Sequence, residues 1–285
     1  MTFTVACAQF APRKADVSQN LDRIAEITRQ ASDAGADLVT FPESATSAYF
    51  LEGGVLESAL TAEALHAQLA ARLTSIERPV DVMLGFYELE VGNLFNSAAY
   101  FEFQPDRSEL VHVYRKFFLP TYGVFDEERF VSRGHELGVF RSRLGRFGIL
   151  ICEDVWHSIL PTLCAVYGAE VLLIPSASPA RGFRDGVPEN LKRYERMLRG
   201  IVEEHGVYAV NTHLVGFEGG KGFVGGSLVL DPHGHVLGQA PIGEDHLLLV
   251  EIDTDVVSIA RAQTPLLSDL QSAWTDICRL AARGR

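Results

Sequence analysis

The sequence predicts an α/β protein whose sheets are covered on both sides. Three observations carry that expectation: short apolar runs alternate with segments of helical period, several runs are apolar at every position, and polar residues gather where the runs end. Residues 4–9 read as the first strand. Residues 18–34 follow as a helix with Leu21, Ile24, Ala25, Thr28 and Ala31 on one face, capped by Asp16 or Ser18 and stopped by Gly35. Strands at 38–41, 80–86, 96–103 and 110–113 come next, with a helix over about 62–76 among them. A strand then runs into Cys152 and a helix continues to Tyr167. Residues 171–174 form a strand, 189–205 a helix and 208–211 a strand. The run 227–252 reads as further strands with turns at 231–234 and 241–245. Strands such as 171–174 and 247–250 need cover on both faces, so more than one layer is expected. No linker, charge block or repeat divides the chain, and residues 1–285 are expected to form a single domain.

Composition narrows the function. Apolar residues make up 47% and charged residues 22%, as in an ordinary globular enzyme. The net charge of −12 disfavours phosphate backbones and anionic lipid as partners, so no nucleic acid and no membrane are expected. A small-molecule substrate fits better. Residues 1–10 carry neither a basic leader nor a long apolar stretch, and a cytoplasmic location follows as an expectation.

Cys7, Cys152, Cys164 and Cys278 show neither paired spacing nor histidine neighbours, so neither disulfides nor a metal are expected, and no cofactor is called for. Cys7, Cys164 and Cys278 fall on apolar stripes and read as packing residues. Cys152 differs. It stands at a strand-to-helix corner, followed by Glu153 and Asp154, where free backbone N–H groups and a helix N-terminus surround an exposed side chain. Glu43 and Lys116 also stand just past strand ends, and Ser176 and Ser178 follow the 171–174 strand. Residues past the carboxyl ends of strands converge on ligand sites in α/β sheets. Together they suit acyl transfer: a thiol nucleophile, a carboxylate base and an ammonium for the oxyanion.

Other features read more plainly. Residues 220–225 match G-x-G-x-x-G, but a strand follows, so a flexible loop or bulge is expected rather than a dinucleotide site. His233 and His235 read as solvated turn residues. The stripe Leu266, Leu267, Leu270, Trp274, Ile277 reads as a helix docked on the core or on a second subunit. Asp154 reads as a favourable charge in a first helical turn.

The ordered motifs resemble the nitrilase, or carbon–nitrogen hydrolase, superfamily. Val5 to Phe10 resembles its first strand, Phe41-Pro42-Glu43 its glutamate motif, Arg115-Lys116 with Leu119-Pro120 its lysine motif, Cys152-Glu153-Asp154 its nucleophile motif, and Asp231-Pro232-His233-Gly234 a late hairpin turn. The resemblance implies a four-layer α-β-β-α sandwich with Glu43, Lys116 and Cys152 as catalytic residues. Residues 119–130 and 151–156 further resemble the glutaminase domain of glutamine-dependent NAD synthetases, which implies Tyr122, Glu153 and Ser178 as substrate-binding residues. Val124 stands where many members carry a second glutamate, leaving Asp126 or Glu127 to replace it.

The expected activity is hydrolysis of a small linear amide through a thioester, by a homo-oligomer. The alternatives are a glutaminase subunit passing ammonia to a separate NAD synthetase, on the expectation that no synthetase domain follows residue 285, and a catalytically silent scaffold. The acyl group depends on loops 50–57 and 180–187, and Arg181, Arg184 and Lys221 are candidates to meet a substrate carboxylate.

Overall fold

The computed structural model describes residues 1–184 and 187–283, with side chains at all of them except 183, 184 and 187. Its first half runs β1 (Thr2–Gln9), α1 (Val17–Asp33), β2 (Leu38–Thr40), α2 (Val55–Ser58), α3 (Ala62–Arg72), β3 (Val80–Glu90), β4 (Asn93–Phe103) and β5 (Ser108–Arg115). Then come β6 (Val139–Ser142), β7 (Gly145–Ile149), α4 (Ile159–Val166), β8 (Val171–Ser176), β9 (Phe183–Arg184), β10 (Val187–Pro188), α5 (Glu189–His205) and β11 (Tyr208–His213). The chain closes with β12 (Val215–Glu218), β13 (Lys221–Val224), β14 (Leu228–Leu230), β15 (Val236–Gln239), β16 (His246–Asp253), α6 (Asp255–Gln263) and α7 (Leu266–Arg283).

Local chemistry explains the helix ends. The Asp16 carboxylate accepts from Gln19 N–H, capping α1, and Gly35 at φ 96° turns the chain out of it. At the end of α5, Gly206 takes φ 57° and its N–H closes on the Val202 carbonyl at 2.9 Å. α3 stops at Arg72, short of Ile76, because Thr74 and Ser75 favour caps and turns and Pro79 bars continuation.

Two six-stranded sheets form, in the orders β16-β1-β2-β3-β4-β5 and β15-β14-β11-β8-β7-β6. Val5, Cys7 and Met83 of the first meet Phe147, Ile149 and Leu172 of the second in one core that also takes in Leu160 and Cys164 of α4 and Leu198 and Val202 of α5. A second core joins Leu21 and Ile24 of α1 and Leu65 and Leu69 of α3 to Val39, Val82 and Leu84 on the other face of the first sheet. The result is the expected α-β-β-α sandwich. Burying each such leucine or isoleucine is worth about 1.5–3 kcal/mol.

Several expectations change. Residues 171–174 are buried throughout, but 247–250 lie on β16 at a sheet edge, where Leu249 is 38% exposed, so one flank needs no cover. Cys278 is exposed rather than packed. It lies on α7, where Leu267 is buried, Trp274 half-buried and Ile277 exposed, because only one flank of this last helix meets α4 and α5. Residues 220–225 form no free loop. Gly219 and Gly220, both at positive φ, turn the paired hairpin β12–β13.

Candidate active site

Three strand ends and one helix build the site. Glu43 follows β2, Lys116 follows β5, and Cys152 follows β7 at the start of a 3-10 turn over Cys152–Trp156. Cys152 has φ 48°, a left-handed conformation that a non-glycine residue adopts at a cost of about 1–3 kcal/mol. The expected strand-to-helix corner is therefore a strained elbow, with the helix α4 beginning only at Ile159.

Asp154 fixes this elbow. Its carboxylate accepts from Ile151 N–H at 3.0 Å, from the Tyr114 hydroxyl at 2.8 Å, and from Phe117 and Phe118 N–H at 3.1 and 2.8 Å. Asp154 is thus more than a charge in a first helical turn: it ties the cysteine corner to the segment that follows Lys116. Burial pushes its carboxyl up to about 6, and the Phe118 N–H and Lys116 pull the other way.

Glu43 is wholly buried and held by three donors: Asn96 Nδ2 and Lys116 Nζ at 2.8 Å on Oε1, and Ala177 N–H at 2.8 Å on Oε2. The corner carrying it lies flat on β3, where Gly85 N–H donates to the Pro42 carbonyl at 3.2 Å. Lys116 also donates to Glu127 Oε1 at 2.6 Å. Of the two candidates for the second carboxylate, Glu127 reaches the site; Asp126 is mostly exposed and faces Arg129. The 3-10 turn Glu127–Arg129 makes the difference, turning one acid inward and its neighbour outward. The Tyr49 hydroxyl also donates to Glu127 Oε1.

One ammonium between two carboxylates sets the electrostatics. Burial pulls Lys116 down, but Glu127 and Glu43 outweigh it, so the amine stays charged well above its ordinary range. Burial pushes the Glu127 carboxyl up to about 7, with Lys116 opposing and Glu43 adding to the rise. Burial and Glu43 push the Cys152 thiol well above the ordinary thiol range, against Lys116, the Tyr194 hydroxyl and Ala177 N–H. Cys152 therefore rests as a thiol, and a thiol reacts as a nucleophile only where a base takes its proton.

Two cavities lie beside this cluster, one walled in part by Glu127 and the other by Glu153, the neighbour of Cys152; Glu43, Lys116 and Cys152 themselves line neither. One of about 240 Å³ is lined by Tyr49, Tyr87, Val124, Glu127, Phe130 and Lys221 among others. Another of about 640 Å³ is lined by Tyr122, Glu153, Trp156, Arg181, Asn190 and Arg193 among others. In the second, the Tyr122 hydroxyl donates to Glu153 at 2.9 and 3.1 Å. Ser178 does not line this cavity directly; its hydroxyl accepts from Asn190 Nδ2 at 3.0 Å, behind the wall. Arg181 faces the cavity, Lys221 sits over the Phe50 ring beside the smaller one, and the Arg184 side chain lies outside the described residues.

Sequence reasoning passed over Tyr49, Asn96 and Tyr194. Tyr194 on α5 places its hydroxyl 3.2 Å from Cys152 Sγ. The signal was thin: each is an aromatic or amide on a stretch that reads as core.

The carbon–nitrogen hydrolase family model matches residues 4–262, and the chain belongs to that family. Among curated relatives, the glutamine-dependent NAD(+) synthetase of Thermotoga maritima is 33% identical over 252 residues, covering 88% of this chain and 42% of the relative. The enzyme of the same name from Acinetobacter baylyi is 30% identical, covering 89% and 45%. The chain thus spans less than half the length of these relatives. Among solved structures, glutamine-dependent NAD+ synthetase from Acinetobacter baumannii superposes with a TM-score of 0.78 at 28% identity, covering 90% of this chain and 47% of that one. An amidase of the nitrilase superfamily from Nesterenkonia gives 0.72 at 26% identity, covering 92% and 95%.

Proposed function

We propose that this chain is a thiol amidohydrolase that cleaves the C–N bond of a small linear amide through a thioester, with Glu43, Lys116 and Cys152 as its catalytic residues. The observation that carries the reading is the fixing of Glu43: three donors aim a buried carboxylate whose charge acts on the Cys152 thiol. Glu43 takes the thiol proton as sulfur attacks the amide carbon, and Lys116 with backbone N–H groups beyond Cys152 balances the oxyanion. Collapse breaks the C–N bond, and the amine leaves with the proton held by Glu43. Water, deprotonated by Glu43, then adds to the thioester; the C–S bond breaks and the sulfur recovers the proton.

A second reading, that glutamine is the amide and its ammonia serves a separate NAD synthetase, is favoured by the Tyr122–Glu153 pair in the larger cavity. The Glu153 side chain can receive an α-ammonium there, and Arg181 an α-carboxylate. Both readings are tested by ammonia release from glutamine, asparagine, aliphatic amides and carbamoyl amino acids. Release from an amide supports the first reading. On the second, Glu153→Gln costs glutamine about 1.5–3 kcal/mol in kcat/KM beyond its cost to a neutral aliphatic amide. Equal losses on both, or no glutamine turnover, end the second reading; no turnover of any amide ends the first.

A further inference from the structure

We propose that Tyr194 is a further catalytic residue, whose hydroxyl donates a hydrogen bond to the Cys152 sulfur as negative charge arrives on it and again as it leaves. The inference rests on the reading of Cys152 as nucleophile. Tyr194 comes from α5, an element that carries none of Glu43, Lys116 and Cys152, yet its hydroxyl lies 3.2 Å from Cys152 Sγ. The ring is buried and held by two edge-to-face neighbours, Trp156 at 4.9 Å and His213 at 5.0 Å between ring centroids. Its position on the sulfur is therefore fixed by packing rather than by the hydrogen bond itself.

The chemistry around the sulfur makes this contact consequential. Lys116 is bonded to Glu43 and Glu127, and Ala177 N–H to Glu43, which leaves the Tyr194 hydroxyl as the hydrogen-bond partner of the sulfur among the described residues. Burial and the adjacent cysteine push the phenol well above its ordinary range, so it keeps its proton throughout the working pH and remains a donor. In acylation the S–H proton passes to Glu43 while the C–S bond forms, and the phenol hydrogen turns to the sulfur without transferring. In the thioester the sulfur is a weak acceptor and the bond relaxes. On hydrolysis the C–S bond breaks, the departing thiolate is met by the same hydroxyl, and Glu43 returns the proton. A donor of this kind lowers the barriers of both half-reactions.

Tyr194→Phe removes the hydroxyl and keeps the ring. The test is the rate of Cys152 alkylation by iodoacetamide across pH, read by peptide mapping so that exposed Cys278 is counted separately. Alkylation at neutral pH is expected to fall on the order of tenfold, with the profile displaced to higher pH. On any amide the wild type hydrolyses, kcat should fall by a similar factor with KM nearly unchanged. His213→Gln, which loosens the same ring but leaves the hydroxyl, should keep most of the alkylation rate. Wild-type alkylation and pH profile in Tyr194→Phe would overturn the proposal, as would an equal loss in His213→Gln. Alkylation requires no substrate, so failure to find an amide would leave this test intact.

Discussion

Glu127 shows what a single buried carboxylate does in this site. It shares Lys116 with Glu43, and burial pushes its carboxyl from about 4.5 up to about 7. The folded chain therefore holds this proton more tightly than the unfolded chain. The stability it contributes is complete below about pH 4.5 and is lost as pH rises through about 7. Glu127→Gln should flatten the fall in stability across that interval, measured by denaturant unfolding at about pH 5 and about pH 8. An unchanged slope would mean the proton resides elsewhere. At this scale legibility was uneven. That Glu43, Lys116 and Cys152 come together was readable because each follows an apolar strand, but Asp126 and Glu127 could not be separated, since a short 3-10 turn decides which one points inward. Tyr194 shares its stripe with Leu191, Leu198 and Ile201, so only tertiary contact distinguishes its hydroxyl from core.

Among the elements, β3 backs the corner that carries Glu43, the proposed base. A Cβ at Gly85 would fall 2.6 Å from Ser44 N and 2.7 Å from both Glu43 Cα and the Pro42 oxygen, so Gly85→Ala must displace the corner that carries Glu43. We expect a loss of about 1–3 kcal/mol in stability and at least about a tenfold loss in turnover. Gly200 on α5 is the contrast: its Cβ would meet nothing within 4 Å, and Gly200→Ala should stabilise by about 0.5–1 kcal/mol without touching activity. Thermal melts and ammonia release on the two variants check this, and a harmless Gly85→Ala would show that the corner is not rigid. The strand pattern was legible from apolar runs, whereas this backbone contact between β3 and the segment after β2 leaves no periodic trace. Likewise α1 and α5 lay close to where their stripes put them, while α3 ended early, where capping chemistry overrode the apolar pattern.

At the scale of the whole molecule, the α-β-β-α stack brings together residues 43, 116, 152 and 194, which the chain keeps far apart. The layers followed from strands apolar on both faces, as in β8. The edge at β16 and the exposed flank of α7 did not, because a sequence does not mark which strand or helix ends a layer. The account stands on the chemistry at one atom, the Cys152 sulfur. Its most direct test is ammonia release by Cys152→Ala on an amide the wild type hydrolyses, with folding verified by an unchanged far-ultraviolet spectrum. The account predicts a fall of at least about 10⁴-fold. Turnover within about tenfold of wild type would contradict it, because an oxyanion site without its nucleophile does not sustain that rate.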